Sequence, residues 1–437
     1  MNVLVIGAGI SGLAMAHKLT EQGHSVEILE ATDQAGGRGM LLNRPGTDDW
    51  ADVGTQYFHS NYKYGLALID ELGLTPQLKK ISGKTRFFTG EKEKSFLVKP
   101  SLPWMPPGGL WGNIKAGLFV MRLLLSHPMQ VFALEPQERL DRTVALESTS
   151  SSFIKDYIVR LLVLTGAMTE PELTNVSLLQ VVRLIRIILM TDSVSLKGGT
   201  ASLHGALAAK ANIRFNAPVS ELTLEGDKVS GVRLVDGQAI SADHVVVAAN
   251  APQAADIVPS SWHIEKQFLS GIKMPPTIIV SFFLNRSLEK DVWSYYMPIN
   301  GNGLVRLCVD TQQKNSGATP SGKATLQAWI TNPQSAALMD QTDDAIIDSA
   351  RADVENYMPG FSSWIEESSV TRHAMTIPQS SVGHNQRALD FLKSADERKE
   401  VSFCGDYLSG GYLESALWTV ERASNQIKNT INKETKR

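Results

Sequence analysis

Four consecutive apolar positions, Val3-Leu4-Val5-Ile6, open the chain and predict a buried strand. A glycine-rich turn follows at once, Gly7-Ala8-Gly9-Ile10-Ser11-Gly12. Leu13, Ala16 and Leu19 then recur at helical spacing, and Val26-Glu27-Ile28-Leu29-Glu30 returns to strand character. Further on, Ile114, Leu118, Met121 and Leu125, and then Leu178, Val181, Val182, Ile185 and Leu189, predict helices within a mostly helical stretch over 110–190. Residues 277–284 and 324–330 predict strands of a second sheet, and 342–358 a helix ending before Pro359-Gly360. Thr311 to Lys323 reads as a polar loop, and the tail after Asn425 as a charged helix end. No internal repeat is visible.

The first unit carries a chemistry of its own. In a strand–turn–helix, one glycine permits the tight turn, the next lets backbone approach a pyrophosphate, and the third lets helix and strand pack closely. The helix start supplies unpaired N–H groups and a favourable dipole. Glu30 lies 23 residues after Gly7, near the roughly 20-residue spacing of an acid that binds a ribose hydroxyl. Gly7, Gly9, Ile10, Ser11, Gly12, Glu30 and Ala31 are therefore candidate dinucleotide contacts.

Two further segments narrow the dinucleotide. Ala35-Gly36-Gly37-Arg38 places an arginine on a glycine pair, suited to a pyrophosphate or an isoalloxazine edge. Asp52-Val53-Gly54-Thr55-Gln56-Tyr57-Phe58 is a short strand entering a glycine turn. With these residues the chain resembles the FAD-dependent amine oxidase superfamily, which includes amine oxidases, protoporphyrinogen oxidases and carotenoid desaturases. Lys197-Gly198-Gly199-Thr200, Val219-Ser220-Glu221-Leu222 with Val229–Val235 and Ala242–Ala249, and Phe403-Cys404-Gly405-Asp406-Tyr407 extend the resemblance. It implies non-covalent FAD. It places Gly37, Arg38, Gly54, Thr55 and Gln56 at the flavin side, Val219 at the adenine, Gly405 and Asp406 at the ribityl and pyrophosphate, and Leu413 and Ala416 on a last helix aimed at the flavin. Residues 219–249 would form a second sheet of the FAD domain. The expected fold is α/β, a Rossmann-type FAD-binding domain (1–80, 193–265 and 398–437) with an interleaved α+β substrate domain (81–192 and 266–397). Thr419-Val420 departs from a Ser-Gly pair in that last helix.

Composition bounds the rest. The 437 residues suffice for two domains. Net charge is −3, which gives no reason to expect nucleic acid. Cys308 and Cys404 form no CxxC, so neither a disulfide framework nor a metal site is expected. Lys79, Lys80, Lys84, Arg86, Lys92, Lys94 and Lys99 read as a solvated hairpin. No run of 18 apolar residues occurs, so a cytoplasmic location is the default. Leu102 to Leu125, with Trp104, Pro106, Pro107 and Trp111, leaves open a peripheral membrane contact or a dimer contact beside the plainer reading of a packed helix.

The resemblance also shows departures at the reaction centre. Many amine oxidases carry a lysine on the strand after Met-Pro; here Met274-Pro275 leads to Ser281 or its neighbour. Tyr412 matches one of two rings that hold an amine, and no partner is identifiable near Arg372-His373-Ala374-Met375, a stretch that with Ile377 to His384 looks more like the protoporphyrinogen oxidases. Tyr412, Tyr57 and Gln56 are the candidate catalytic-pocket residues, with His59, His373 and His384 as further candidates. The expected activity is oxidation or desaturation of a bulky, mostly apolar small molecule at a C–H next to nitrogen or a conjugated system, with oxygen or a quinone as electron acceptor. An FAD-dependent isomerase and a non-catalytic FAD-binding protein remain the alternatives.

Overall fold

The computed structural model describes residues 1–89, 95–98, 109–125, 134, 159–165, 168, 172, 175–188, 191–298 and 303–434. The opening apolar run becomes the strand Asn2–Ile6, at the centre of a five-stranded parallel sheet. Ser25–Leu29 and then Ile213–Arg214 lie on one side of it, His244–Val247 and then Val401–Phe403 on the other. Both faces of the sheet are buried, which explains the unbroken apolar runs. Val3 and Val5 pack with Leu13, Met15 and Leu19 of the helix Ile10–Glu21 and with Ala423 and Ile427 of the last helix, Leu413–Glu434. Leu4 and Ile6 face the opposite way, toward Trp262, Phe391 and Phe403.

Residues 244–247 correct one expectation. They do not join Val219–Glu225, Lys228–Leu234 and Ala239–Ser241, which form a separate antiparallel sheet. His-Val-Val-Val pairs instead with the first strand, Val3 to His244 through Ile6 to Val247. All four residues are buried, whereas the antiparallel strands mix buried, half-buried and exposed positions.

The second sheet has seven strands, ordered Ile365–His373, Thr277–Leu284, Thr325–Ile330, Leu307–Asp310, Val292–Tyr296, Lys84–Phe88 and Ser95–Val98. One face, with Ile278, Val280, Phe282, Leu326, Ala328 and Ile330, packs against Ile346, Ala350 and Val354 of the helix Asp343–Glu355. The pairing of Ser281 with Gln327 and of Phe283 with Thr325 puts one polar pair and a Phe–Thr pair on the other face.

Thr311 to Lys323 is not a solvent loop. It begins with a short helix, Thr311–Lys314, capped by the Asp310 carboxylate, and Thr311, Lys314, Asn315 and Thr319 are buried. The helices Gly109–Leu125 and Leu178–Ile188 meet through Phe119 and Val120. Leu110, Trp111, Leu118, Met121 and Leu125 of the former are exposed. Among the described residues no helix is long and apolar enough to cross a membrane. Lys80 pairs with Asp192 and Arg86 with Glu289, so part of the basic cluster is neutralised. Trp104, Pro106, Pro107, Leu189, Lys92, Lys94 and Lys99 lie outside the described residues.

Candidate functional site

The glycine turn sits at the carboxyl end of the first strand, where an open α/β sheet receives ligands. Gly12 has no room for a side chain: a Cβ there would lie 1.9 Å from the Gly7 carbonyl oxygen. Gly9 is the opposite case, because a Cβ on it would meet no atom within 4 Å. Gly37 approaches Gly9 so closely that its own Cβ would lie 3.3 Å from the Gly9 Cα. The helix Ile10–Glu21 begins at Gly9 with no side-chain cap and no acid in its first turn. Open backbone with uncapped N–H groups, lined by Gly9, Ile10, Ser11 and Gly37, suits a pyrophosphate.

Glu30 stands at the end of the second strand. Its Oε2 accepts from Ala8 N (2.7 Å) and its Oε1 from Thr32 N (2.9 Å), while Ala31 beside it is exposed. Ala217 N donates to the Glu30 carbonyl (2.8 Å), which brings Val219, half-buried at the start of its strand, to the same end of the cradle. Glu30→Ala is expected to weaken FAD binding by about 1.5–3 kcal/mol, the worth of a charge-assisted hydrogen bond. Fluorescence titration of FAD checks this, and unchanged affinity would remove the ribose role from Glu30.

Arg38, expected against pyrophosphate or flavin, grips Asp406 in a bidentate pair, Nη1 to Oδ2 at 2.7 Å and Nη2 to Oδ1 at 2.9 Å. It also donates to the Thr376 carbonyl. Two segments assigned to the cofactor are thus joined to each other. Gly405 N donates to Thr419 Oγ1 (2.9 Å), and Thr419 is buried. The Thr419 hydroxyl, a group that serine also carries, fastens the Gly405-Asp406 turn to the last helix. Leu413 is half-buried where that helix starts, and Ala416 is buried with its N–H donated to the Tyr412 carbonyl (3.1 Å).

The Asp52–Gln56 turn packs under Arg38. A Cβ on Gly54 would lie 1.8 Å from the Arg38 carbonyl oxygen, so only glycine fits there. Asp52, fully buried, accepts from Thr200 N (2.8 Å), Thr200 Oγ1 (3.0 Å) and Lys314 Nζ (2.8 Å). The Thr55 carbonyl accepts from Thr200 Oγ1 at 2.5 Å. Gln56 was expected to face the reaction, but its amide is spent inside the turn. Its Nε2 donates to the Asp52 and Gly54 carbonyls (2.6 and 3.1 Å), and its Oε1 accepts from Lys314 Nζ (2.8 Å). The structure makes Gln56 a brace.

The groups beyond the turn are aromatic. Tyr57 meets His59 and Trp293 edge-on, with ring centroids 5.2 and 5.5 Å apart. Burial pushes the Tyr57 phenol up to about 12 and raises that of Tyr412 further. Burial pulls the His59 imidazole down to about 4, and His244 alike. A histidine held neutral in the fold stabilises fully above its unfolded value near 6.5, and that contribution is lost as pH falls toward 4. His59→Phe is expected to remove about 2 kcal/mol of the stability lost between pH 7 and pH 5. Urea unfolding at the two values checks it; an unaltered pH dependence would mean that His59 protonates freely in the fold.

His373 and His384 each have a ring nitrogen at a backbone carbonyl. His373 Nε2 is bonded to the Val53 carbonyl, and His384 Nε2 lies 3.2 Å from the Leu408 carbonyl. Cys404 is a buried packing residue whose thiol burial pushes up to about 12. Sequence reasoning missed Lys314, Gln327 and Thr200. Only Thr200, within the Gly-Gly turn, carried a signal.

A profile of the family described as flavin containing amine oxidoreductase matches residues 10–428. The chain belongs to that family. Its cofactor is FAD. Coproporphyrinogen III oxidase of Propionibacterium freudenreichii subsp. freudenreichii is 24% identical over 98% of this chain and 90% of its own length. The flavin-dependent L-tryptophan oxidase RebO of Lentzea aerocolonigenes is 38% identical, over 20% of this chain and only 18% of that protein. Among solved structures, cyclohexylamine oxidase from Brevibacterium oxydans IH-35A superposes with a TM-score of 0.73 at 20% identity, covering 99% of both chains. At that identity the superposition speaks for the fold alone. This family member thus shares its α/β flavoprotein fold with an amine oxidase.

Proposed function

We propose that this family member is an FAD-dependent oxidase that takes a hydride from a bulky, mostly apolar substrate, at a C–H next to nitrogen or within a conjugated system. A porphyrinogen-type ring is the substrate class we place first. FAD, when bound, supplies the hydride acceptor. The observation that carries the reading is the neutral aromatic surface past the Asp52–Gln56 turn. Tyr57 and Tyr412 keep their protons, His59 stays unprotonated, and Trp293 adds an apolar edge. Such a surface excludes water and positions a ring system, while asking for no base from the protein.

Two further points support a porphyrinogen over a small amine. The match to coproporphyrinogen III oxidase runs through nearly the whole of both chains. Ser281 or its neighbour, by the resemblance, occupies the place where many amine oxidases carry lysine, and Ser281 is buried in its strand. Oxygen or a quinone would accept the electrons.

Anaerobic mixing tests the proposal. A porphyrinogen is expected to bleach the flavin absorbance lastingly, and colour is expected to return on adding oxygen or a quinone. Bleaching by small aliphatic amines alone would turn the reading to amine oxidation. A spectrum that recovers with no acceptor present would make the protein an isomerase.

A further inference from the structure

The turn assigned to the flavin is held from across the molecule. The Asp52 carbonyl accepts from Gln327 Nε2 (2.8 Å), the Val53 carbonyl is bonded to His373, and the Asp52 carboxylate takes Lys314 Nζ (2.8 Å). Gln327 and His373 belong to strands of the seven-stranded sheet, and Lys314 to the short helix that follows another. The turn itself leads out of Trp50–Asp52, which pairs only with Leu41–Asn43 among the described strands. Local pairing alone therefore gives the turn little support.

Lys314 differs from the other two. Its side chain and that of Asp52 are both 0% exposed, so the pair is a fully desolvated charge contact. Such a contact is kept only when hydrogen bonds complete it. Asp52 has Thr200 for this purpose, and Lys314 has Gln56 Oε1 at 2.8 Å. That second bond fixes which way the Gln56 amide points. With its oxygen on the ammonium, the Gln56 NH₂ group must face the Asp52 and Gly54 carbonyls, and it closes the turn onto both.

We propose that Lys314 is a positioning residue for the flavin: by orienting the Gln56 amide it sets where the Gly54-Thr55-Gln56 backbone stands against the ring. The inference rests on the placement of that turn beside the flavin. It gives Lys314 a role that pairing with Asp52 does not exhaust.

The test uses the full-length, FAD-loaded protein and reads three quantities: FAD dissociation constant, flavin midpoint potential and thermal unfolding midpoint. Lys314→Met is expected to raise the dissociation constant about tenfold, the equivalent of one charge-assisted hydrogen bond, and to displace the potential. Lys314→Met combined with Asp52→Asn removes the lone buried carboxylate. The double variant is expected to regain the unfolding midpoint while dissociation constant and potential stay displaced, because Gln56 is still unheld. Gln56→Ala is expected to reproduce both displacements. A double variant that returns all three quantities to the parent values would reduce Lys314 to a charge partner and overturn the proposal. It also carries the comparison alone if Lys314→Met does not fold. Gly54→Ala moves the turn independently of Lys314. If that variant leaves the potential unmoved, the turn does not stand at the flavin and the placement falls. A potential that responds to Gly54→Ala but not to the double variant overturns the role of Lys314 alone.

Discussion

Replacing Gly12 with alanine is expected to abolish flavin uptake. The new Cβ would lie 1.9 Å from the Gly7 carbonyl oxygen and 3.1 Å from the Gly7 carbonyl carbon. Both are backbone atoms, so no rotamer change relieves the overlap. The helix must move off the loop, and overpacking in a tight core costs about 1–3 kcal/mol or more. Uptake suffers beyond this cost, since the displaced parts are the helix start and the loop that face the pyrophosphate. Gly205→Ala is the control. It lies within the helix Ala201–Ala208, where a Cβ would meet nothing within 4 Å. The Gly205 variant is expected to purify yellow and the Gly12 variant colourless, with no flavin released on denaturation. A yellow Gly12 variant of parental affinity would contradict the assignment of this turn.

The second large effect is expected at Asp52. Asp52→Ala leaves the Lys314 ammonium in the interior with Gln56 Oε1 as its remaining acceptor among the described residues. Breaking a buried pair by deleting one partner costs about 3–5 kcal/mol. The loss also strips Thr200 of the acceptor for its N–H. Asp52→Asn retains an oxygen for Thr200 and is expected to lose less. Urea midpoints of the three proteins read the order directly. An alanine variant as stable as the parent would mean that Lys314 finds water or another acceptor without cost.

These two residues differ in how far the sequence announced them. Gly12 belongs to a motif with fixed offsets, each offset imposed by one contact, so it was legible. The strands Thr277–Leu284 and Thr325–Ile330 were legible too, because short stretches rich in apolar and β-branched or aromatic residues read as buried strands. Residues 244–247 were legible as a strand but not as a partner of the first one; a run buried on both sides was the available hint. Lys314 gave no hint. It stands among Thr, Gln, Asn and Ser, a composition that elsewhere marks a solvated loop. What buries it is Asp52, 262 positions earlier, and no local pattern records a partner at that distance. Gln56 and His373 were noticed as candidates for the pocket, and the sequence did not show the carbonyls they meet. Their polar atoms were free to serve a substrate until backbone carbonyls claimed them.

The Arg38–Asp406 pair bears on how the molecule is made. Its two halves are 368 positions apart. At about 5–20 residues per second, the ribosome needs about 20–70 s to deliver the carboxylate after the guanidinium. In the later part of that interval, between the synthesis of Val247 and that of Val401, His244–Val247 has no Val401–Phe403 to cover it and remains an open sheet edge. An open edge of buried character is a template for unwanted pairing. The stretch of synthesis between Val247 and Val401 is therefore the one in which that edge lies open to unwanted pairing.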